Sequence, residues 1–399
     1  MNVVSPLPVG ERIKGEGESG GMMKLISNTY AYLNRFVARE VNYHRIKPTN
    51  MLLYLTNRCT SQCRSCTMWE RKVTAREMTL AEWKRFIDMM AGRNIINVEM
   101  FGGDALMRKD VLFPITEYIK KKGIPQVDLT TNCNLMDEET ADAVVDSGID
   151  IVYVSLDGVG ELHDSVRGVA GSFERTRKGI ENLLKARMNN KKPAITLNCT
   201  ISSLNIRGFD RVLAFGEEIG VDKVSFEYVG QFPMSSVAGS SIHGITPEPY
   251  YVSQDNPIYL SYEQAKYLKF KIRMMRDTAR NMSVRFNASN IDCLTVENMA
   301  RGVFPNRKCY ICRYLVIVDP YGNILPCPFF NTYVLGNVRN NHFDDIWQNE
   351  RHKMFVRYSG ENRLDMCRYC ILGVERNPTF WQAVKKQYLE YTGKGYDEQ

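Results

Sequence analysis

Three cysteines stand in a C-x3-C-x2-C spacing at Cys59, Cys63 and Cys66, and five more, Cys309, Cys312, Cys327, Cys367 and Cys370, crowd toward the far end of the chain. Three thiolates this close can wrap one iron-sulfur cube while leaving its fourth iron without a protein ligand. A structural zinc site wants four ligands in a closed tetrahedron, and neither His44 nor any other nearby His or Cys supplies the fourth. The second group runs Cys309-x2-Cys312-x9-Gly322-x4-Cys327, then Cys367-x2-Cys370. Its spacing alone admits zinc as well as iron-sulfur.

Other side chains with chemical capability recur where strands are expected to end. Gly102, Gly103 and Asp104 follow one apolar run; glycines let a backbone approach a ligand closely, and a carboxylate oxygen can accept from an ammonium. Asn132, Ser155, Asp157 and Arg167 follow the next two, where polar groups suit ribose hydroxyls and a guanidinium suits a carboxylate. The competing reading makes Asp157 and Arg167 a structural pair within their loop. Asn198 and Glu227 are further candidates that protein partners can equally satisfy. His163 is the one histidine near the expected catalytic face, although a lone loop histidine is usually a hydrogen-bonding residue. Cys133 and Cys199 are read as buried small hydrophobes.

The elements that must position these residues alternate strand and helix from Met51 to Val229, which argues for parallel strands joined by crossover helices. Six strands are expected over 51–57, 97–101, 126–131, 151–155, 194–201 and 223–228, mostly continuous apolar runs suited to burial on both faces. Thr79 and Glu82 make a capping box, followed by Leu80, Trp83, Ile87 and Met90 at helical spacing. Gly123, Gly148 and Gly220 are placed to cap helix ends. Six units are too few for a closed eight-stranded barrel, so the expected fold is α/β, a partial (β/α)6 barrel of the TIM type with its site at the carboxyl ends of the strands. Residues 1–21 read as a flexible tail and 22–50 as a helical extension. Residues 230–261 read as a long loop, a substrate-covering segment or linker. Residues 262–399 read as a smaller, cysteine-rich α+β domain with a first helix over 262–281, a hairpin turning at Asp319 to Gly322, and a terminal helix over 380–391.

With three cysteines on the loop after the first strand and Gly102-Gly103-Asp104 after the second, the chain resembles the radical S-adenosylmethionine (SAM) superfamily. The resemblance implies that Cys59, Cys63 and Cys66 hold a 4Fe-4S cluster whose open iron chelates the amino and carboxylate groups of SAM. Gly102, Gly103 and Asp104 would hold the SAM amino group, and Asn132, Ser155, Asp157 and Arg167 its ribose and carboxylate. Ser65 departs from the aromatic residue the family often has before the third cysteine, leaving Met68 or Trp69 to shield the cluster or contact the adenine. The second group resembles the auxiliary-cluster domains called SPASM and, since no cysteine follows Cys370, their shortened form, twitch. That implies a second 4Fe-4S cluster on Cys312, Cys327, Cys367 and Cys370, with Cys309 or Cys312 spare or an iron left open for substrate. The implied activity is reductive cleavage of SAM to a 5'-deoxyadenosyl radical, hydrogen abstraction, and oxidation of a small molecule or peptide with the auxiliary cluster as electron acceptor. A lyase, epimerase or peptide-modifying maturase is the alternative within enzymes, and a non-catalytic iron-sulfur or zinc protein the alternative outside them. Cys133 would be a hydrogen-atom donor to a substrate radical only if it reached the catalytic face. The implied electron donor is a flavodoxin or ferredoxin. Relatives that modify peptides often carry an N-terminal leader-peptide module, and the fifty residues before the barrel are too few for one, which tilts the expectation toward a small molecule.

Composition narrows the field. A chain of 399 residues, 44% hydrophobic, has room for a large core. Its eleven cysteines without an export signal point to thiolate chemistry in a reducing cytoplasm. The net charge of +7 is spread along the chain, and no nucleic-acid module is recognisable. The longest apolar runs are strand-sized, so no membrane span is expected.

Overall fold

The computed structural model describes residues 47–372, apart from 72, 74, 254–256, 305–308, 310 and 361–362. Six parallel strands carry the architecture: β1 (Asn50–Tyr54), β2 (Asn97–Phe101), β3 (Gln126–Thr131), β4 (Ile151–Ser155), β5 (Ala194–Ile201) and β6 (Lys223–Tyr228). They lie side by side in sequence order. Both faces are covered, which is why their residues are almost all buried and read as continuous apolar runs. The expected bounds hold for β2 to β6. β1 stops earlier than expected: Leu55 N–H still reaches the Phe101 carbonyl at 3.0 Å, but the next carbonyl, that of Thr56, is taken by Gly103 N–H.

The helices pack outside this sheet. Leu80–Met90 opens on the expected capping box, with Thr79 and Glu82 exchanging bonds, and buries Trp83, Phe86, Ile87 and Met90 against the strands. Gly123, Gly148 and Gly220 adopt the left-handed conformation at helix ends.

The sheet extends beyond the six expected strands. In the segment after β6, β7 (Phe232–Pro233) and β8 (Val252–Ser253) form a small parallel ribbon. β9 (Arg285–Asn287) then pairs in parallel with β6, and β10 (Leu315–Val318) in parallel with β1. β11 (Asn323–Leu325) folds back on β10 through the expected hairpin, and β12 (Gly336–Asn337) follows. The result is one ten-stranded sheet ordered β12-β11-β10-β1-β2-β3-β4-β5-β6-β9, open at both ends. The division at residue 262 therefore does not correspond to a break in the sheet, because the cysteine-rich half supplies strands to both flanks of the barrel. Helix Tyr262–Ala279 matches its expectation. The expected tail over 1–21, residues 22–46 of the expected helical extension over 22–50 and the terminal helix over 380–391 fall outside the described residues; residues 47–49 are not helical and Asn50 already opens β1.

Residues 230–261 bridge rather than dangle. Phe232, Tyr250, Tyr251 and Leu260 are buried. Thr332 Oγ1 donates to the Thr246 carbonyl at 2.6 Å and Met366 N–H to Ser240 Oγ at 2.8 Å, tying the segment to the C-terminal cysteine region. No helix among the described residues is long and apolar enough to cross a membrane.

Candidate cofactor cleft and second thiol group

The cysteine loop leaves β1 and is pinned from three directions. From the loop after β2, Gly103 and Asp104 N–H donate to the Thr56 and Arg58 carbonyls, both at 2.8 Å. From the end of helix Glu161–Arg167, the carbonyls of Arg167 and Val166 accept from Gln62 and Arg64 N–H at 2.9 and 3.1 Å. From the bridging segment, the Tyr250 carbonyl accepts from Thr67 N–H at 2.9 Å. These approaches leave no space for side chains. A Cβ on Gly103 would lie 2.2 Å from the Arg58 oxygen, and one on Gly168, left-handed at φ +68°, 2.2 Å from the Gln62 oxygen. The glycines thus serve the close approach of two backbones as well as the expected opening toward a ligand.

Every sulfur of the loop meets an N–H donor. Cys59 Sγ accepts from Ser61 N–H at 3.4 Å and Asn132 Nδ2 at 3.7 Å, Cys63 Sγ from Arg167 Nη1 at 3.8 Å, and Cys66 Sγ from Met68 N–H at 3.2 Å. Such donors favour a thiolate and tune the potential of a cluster bound to it. Burial, reinforced by the charge of Asp104, nevertheless pushes Cys59 up to about 12, and burial raises Cys66 as well. The thiolate state therefore awaits the positive charge of a metal centre.

Beside the thiols, at the carboxyl ends of the strands, lies a cleft of about 540 Å³ counted out to its open mouth. Five sequence-derived candidates line it: Gly102, Gly103, Asn132, Ser155 and Arg167. Met68 and Trp69 line it too, as does Phe101. Trp69 Nε1 and Arg167 Nε are buried there without a protein acceptor, each at a cost of ~1–3 kcal/mol. Trp83 Nε1 is likewise unpartnered in the core, so it is the pairing of orphaned donors with three converging thiols that fits a cluster and a ligand rich in acceptors.

Of the two expected carboxylate contacts, one is placed differently. The Asp104 carboxylate is 1% exposed; its Oδ1 accepts from Thr131 Oγ1 at 2.8 Å and Leu106 N–H at 3.3 Å, while its Oδ2 is buried without a protein donor. Burial raises its pKa to about 6. Asp157 forms a buried ion pair with Arg167, Nη2 to Oδ2 at 2.8 Å, and accepts from Thr200 N–H at 3.0 Å. The pair reading of Asp157 therefore prevails over a ligand-facing one, while Arg167 serves both. His163 is fully buried; its Nδ1 accepts from Asp157 N–H at 3.2 Å, and burial holds its pKa down to about 3, so it is a neutral structural residue. Cys133 and Cys199 are 0% exposed and do not line the cleft. Asn198 is buried and Glu227 half-buried, neither on the cleft wall.

The second thiol group lies across an aromatic wall that the sequence reading missed. Phe101, on the cleft, packs edge-on to Tyr54 at 5.1 Å between ring centres. Tyr54 reaches Tyr250 at 6.4 Å, Tyr250 reaches Tyr251 at 6.2 Å, and Tyr251 reaches Phe329 at 5.7 Å. Phe329 N–H then donates to Cys327 Sγ at 3.4 Å. Of the five cysteines here, Cys309, Cys327, Cys367 and Cys370 are partly exposed while Cys312 is wholly buried. Among the described residues no three His, Cys, Asp or Glu side chains converge as a single metal ion requires. A cube, with one iron per thiolate, needs a wider spread than a tetrahedral zinc.

A parallel strand array with three converging cysteines on the loop after its first strand and an open cleft beside them at the strands' carboxyl ends is the arrangement of a radical SAM protein. The family models agree: the radical SAM superfamily matches residues 53–213 and the SPASM iron-sulfur cluster-binding domain residues 309–371, so the chain belongs to the radical SAM branch with a C-terminal SPASM domain. It is 28% identical over 306 residues to an AdoMet-dependent heme synthase of Methanosarcina barkeri, covering 74% of this chain and 80% of that protein. It is 23% identical over 354 residues to a PqqA peptide cyclase of Granulibacter bethesdensis, covering 87% and 84%. Among solved structures it resembles Streptococcus suis SuiB bound to S-adenosylmethionine, with a TM-score of 0.56, 13% identity, and coverage of 90% of this chain and 78% of that one. These memberships make it a radical SAM enzyme that uses a 4Fe-4S cluster and SAM and carries an auxiliary iron-sulfur domain.

Proposed function

We propose that this chain is a radical SAM oxidoreductase, cytoplasmic and fed by a flavodoxin or ferredoxin, whose substrate sits between the two thiol groups. The observation that carries this reading is the unbroken aromatic wall from Phe101 to Phe329, which keeps the second group next to the chamber in which a substrate radical would form. Cys59, Cys63 and Cys66 would hold a 4Fe-4S cluster that would supply the electron for reductive SAM cleavage and hydrogen abstraction, and the C-terminal cysteines would hold a second centre that would accept one electron from substrate as a proton leaves to solvent, a net two-electron oxidation. The chain's own part is positional. Asn132 and Arg167 orient Cys59 and Cys63, while Gly102 and Gly103 bring the β2 loop against the cysteine loop. Trp69 and Arg167 offer buried donors to SAM or substrate. The Tyr250 carbonyl accepts from Thr67 N–H and holds the bridging segment against the cysteine loop.

All eleven cysteines are free thiols, in keeping with a reducing compartment. The heme synthases among its relatives support a small, conjugated substrate, and the solved SuiB complex with its precursor peptide SuiA keeps a peptide substrate as the second reading. Product analysis after a single turnover decides the reaction class. An oxidised product with one 5'-deoxyadenosine formed per event supports an oxidoreductase, whereas an isomerised or cleaved product of unchanged oxidation level would refute it.

A further inference from the structure

The cysteine loop is enclosed on most sides and open on one. Gly103 and Asp104 N–H engage the carbonyls of Thr56 and Arg58, the end of helix Glu161–Arg167 engages Gln62 and Arg64 N–H, and the Tyr250 carbonyl engages Thr67 N–H. Between Arg58 and Cys66 the exposed residues are Arg58, Gln62 and Arg64, with Cys59 partly exposed. None of the three exposed residues lines the cleft. Arg58 directly precedes Cys59, while Gln62 and Arg64 flank Cys63. The loop thus has a solvent face, apart from the cleft, one residue away from two of its three cysteines.

That face is basic. Residues 58–77 carry five basic side chains and two acidic ones, Glu70 and Glu77. The Arg64 side chain makes no hydrogen bond or ion pair with any described residue, so its charge is free to act on a partner. Arg58, 43% exposed, meets Glu77 at 3.5 Å, but that carboxylate is held closer, at 3.0 Å, by Arg108, which also holds Asp110 at 2.9 Å. Arg175, exposed on helix Ser172–Arg187, is tied through Nη2 to the Ala170 carbonyl at 3.1 Å, in the turn whose Gly168 packs on Gln62. Its acidic neighbour Glu174 is already paired with Arg177 at 2.8 Å. Arg64 and Arg175 are therefore charges without a carboxylate partner among the described residues, and Arg58 is a third that is partly matched. Guanidinium forks suit carboxylates, and a basic surface of this kind speeds encounter with an acidic protein and fixes its register.

We propose that the solvent face of the cysteine loop, built on Arg64 and Arg175 with Arg58, docks a small acidic protein that carries single electrons. The proposal rests on the reading of this chain as fed by a flavodoxin or ferredoxin, and adds where such a carrier sits. One electron leaves the carrier and one arrives at the centre that Cys59, Cys63 and Cys66 would hold; no bond is made or broken and no atom is exchanged. Electrons then enter across the loop, while SAM and substrate enter by the cleft.

A flavodoxin and a ferredoxin, both acidic one-electron carriers, are the probes. Their binding to the reconstituted protein, followed by isothermal titration calorimetry, should weaken about tenfold in Arg64→Glu and about threefold in Arg64→Gln at ~0.05 M salt, and the differences should nearly vanish at ~0.5 M, where exposed charges are screened. Arg273→Glu, at an exposed position on helix Tyr262–Ala279, should bind as the wild type does. SAM cleavage driven by the reduced carrier should fall with binding, whereas cleavage driven by photoreduced deazariboflavin, a small uncharged reductant, should keep the wild-type rate in every variant. Unchanged binding in Arg64→Glu, or an equal loss in Arg273→Glu, overturns the docking face. A matching loss with deazariboflavin would make Arg64 a residue that holds the loop, and overturns it too. If neither carrier binds the wild type, the carrier reading itself falls and takes the face with it. Failure of the oxidoreductase reading would appear in product analysis alone and leave these affinities as they are.

Discussion

Replacing Asp157 by Asn isolates the charge that holds Arg167 beside the cysteine loop. The two side chains are 8% and 9% exposed and meet at 2.8 Å, and the amide can still accept from Thr200 N–H, so the backbone anchor survives. Burial opposes the Arg167 charge, and Asp157 is the chief group that offsets it. Removing one partner of a buried pair leaves an uncompensated charge and costs ~3–5 kcal/mol, which is the expected loss in the metal-free protein. In the reconstituted protein the anionic centre on Cys63, whose sulfur is 3.8 Å from Arg167 Nη1, supplies a second counter-charge. A hydrogen bond to a charged group is worth ~1.5–3 kcal/mol, so the loss should shrink by about that much. Anaerobic urea unfolding of both proteins, each with and without reconstitution, measures the four values. A loss below ~1 kcal/mol in the metal-free state, or equal losses in both states, would refute the reasoning.

Three further outcomes follow from the same geometry. Gly103→Ala places a Cβ 2.2 Å from the Arg58 oxygen and should displace the cysteine loop, cutting reconstituted iron by about half while the cluster on the C-terminal cysteines survives; full iron content would count against the loop packing. Trp69→Phe removes a buried donor with no protein acceptor, so metal-free stability should hold steady while SAM affinity, measured by equilibrium dialysis on the reconstituted protein, drops about tenfold, ~1.4 kcal/mol. Asp128, on β3 and away from the cleft, is raised from 3.8 to about 7, chiefly by burial. Its folded form keeps a proton that the unfolded form releases, so stability is greatest below pH 3.8 and is lost as pH rises to about 7, by at most ~4 kcal/mol. Asp128→Asn should flatten that stretch of the stability-pH curve, and an unchanged slope would show the carboxylate to be ionised.

What was legible in the sequence was local. Strands β2 to β6 could be bounded to the residue because burial on both faces makes them continuous apolar runs, and the Thr79 capping box needs only four consecutive residues. The triple-cysteine loop and its neighbours Gly102 and Gly103 were legible for the same reason. The pairing of Leu315–Val318 with β1 and of Arg285–Asn287 with β6 joins segments far apart in the chain, and a short apolar run carries no mark of its partner. Tyr54, Tyr250, Tyr251 and Phe329 come from three separate stretches, and only that pairing assembles them into a wall. Asp157 was correctly placed at a strand end, but a strand end has an inner and an outer side, and its buried partner Arg167 decides which one the carboxylate takes.

The most direct test of the account is SAM cleavage by the anaerobically reconstituted, chemically reduced protein. Wild type should form 5'-deoxyadenosine and methionine in equal amounts, and Cys63→Ala, reconstituted in parallel, should form neither. Cleavage that survives Cys63→Ala, or its absence from a wild-type protein carrying its full iron, would contradict the assignment of Cys59, Cys63 and Cys66 as the site where the radical begins.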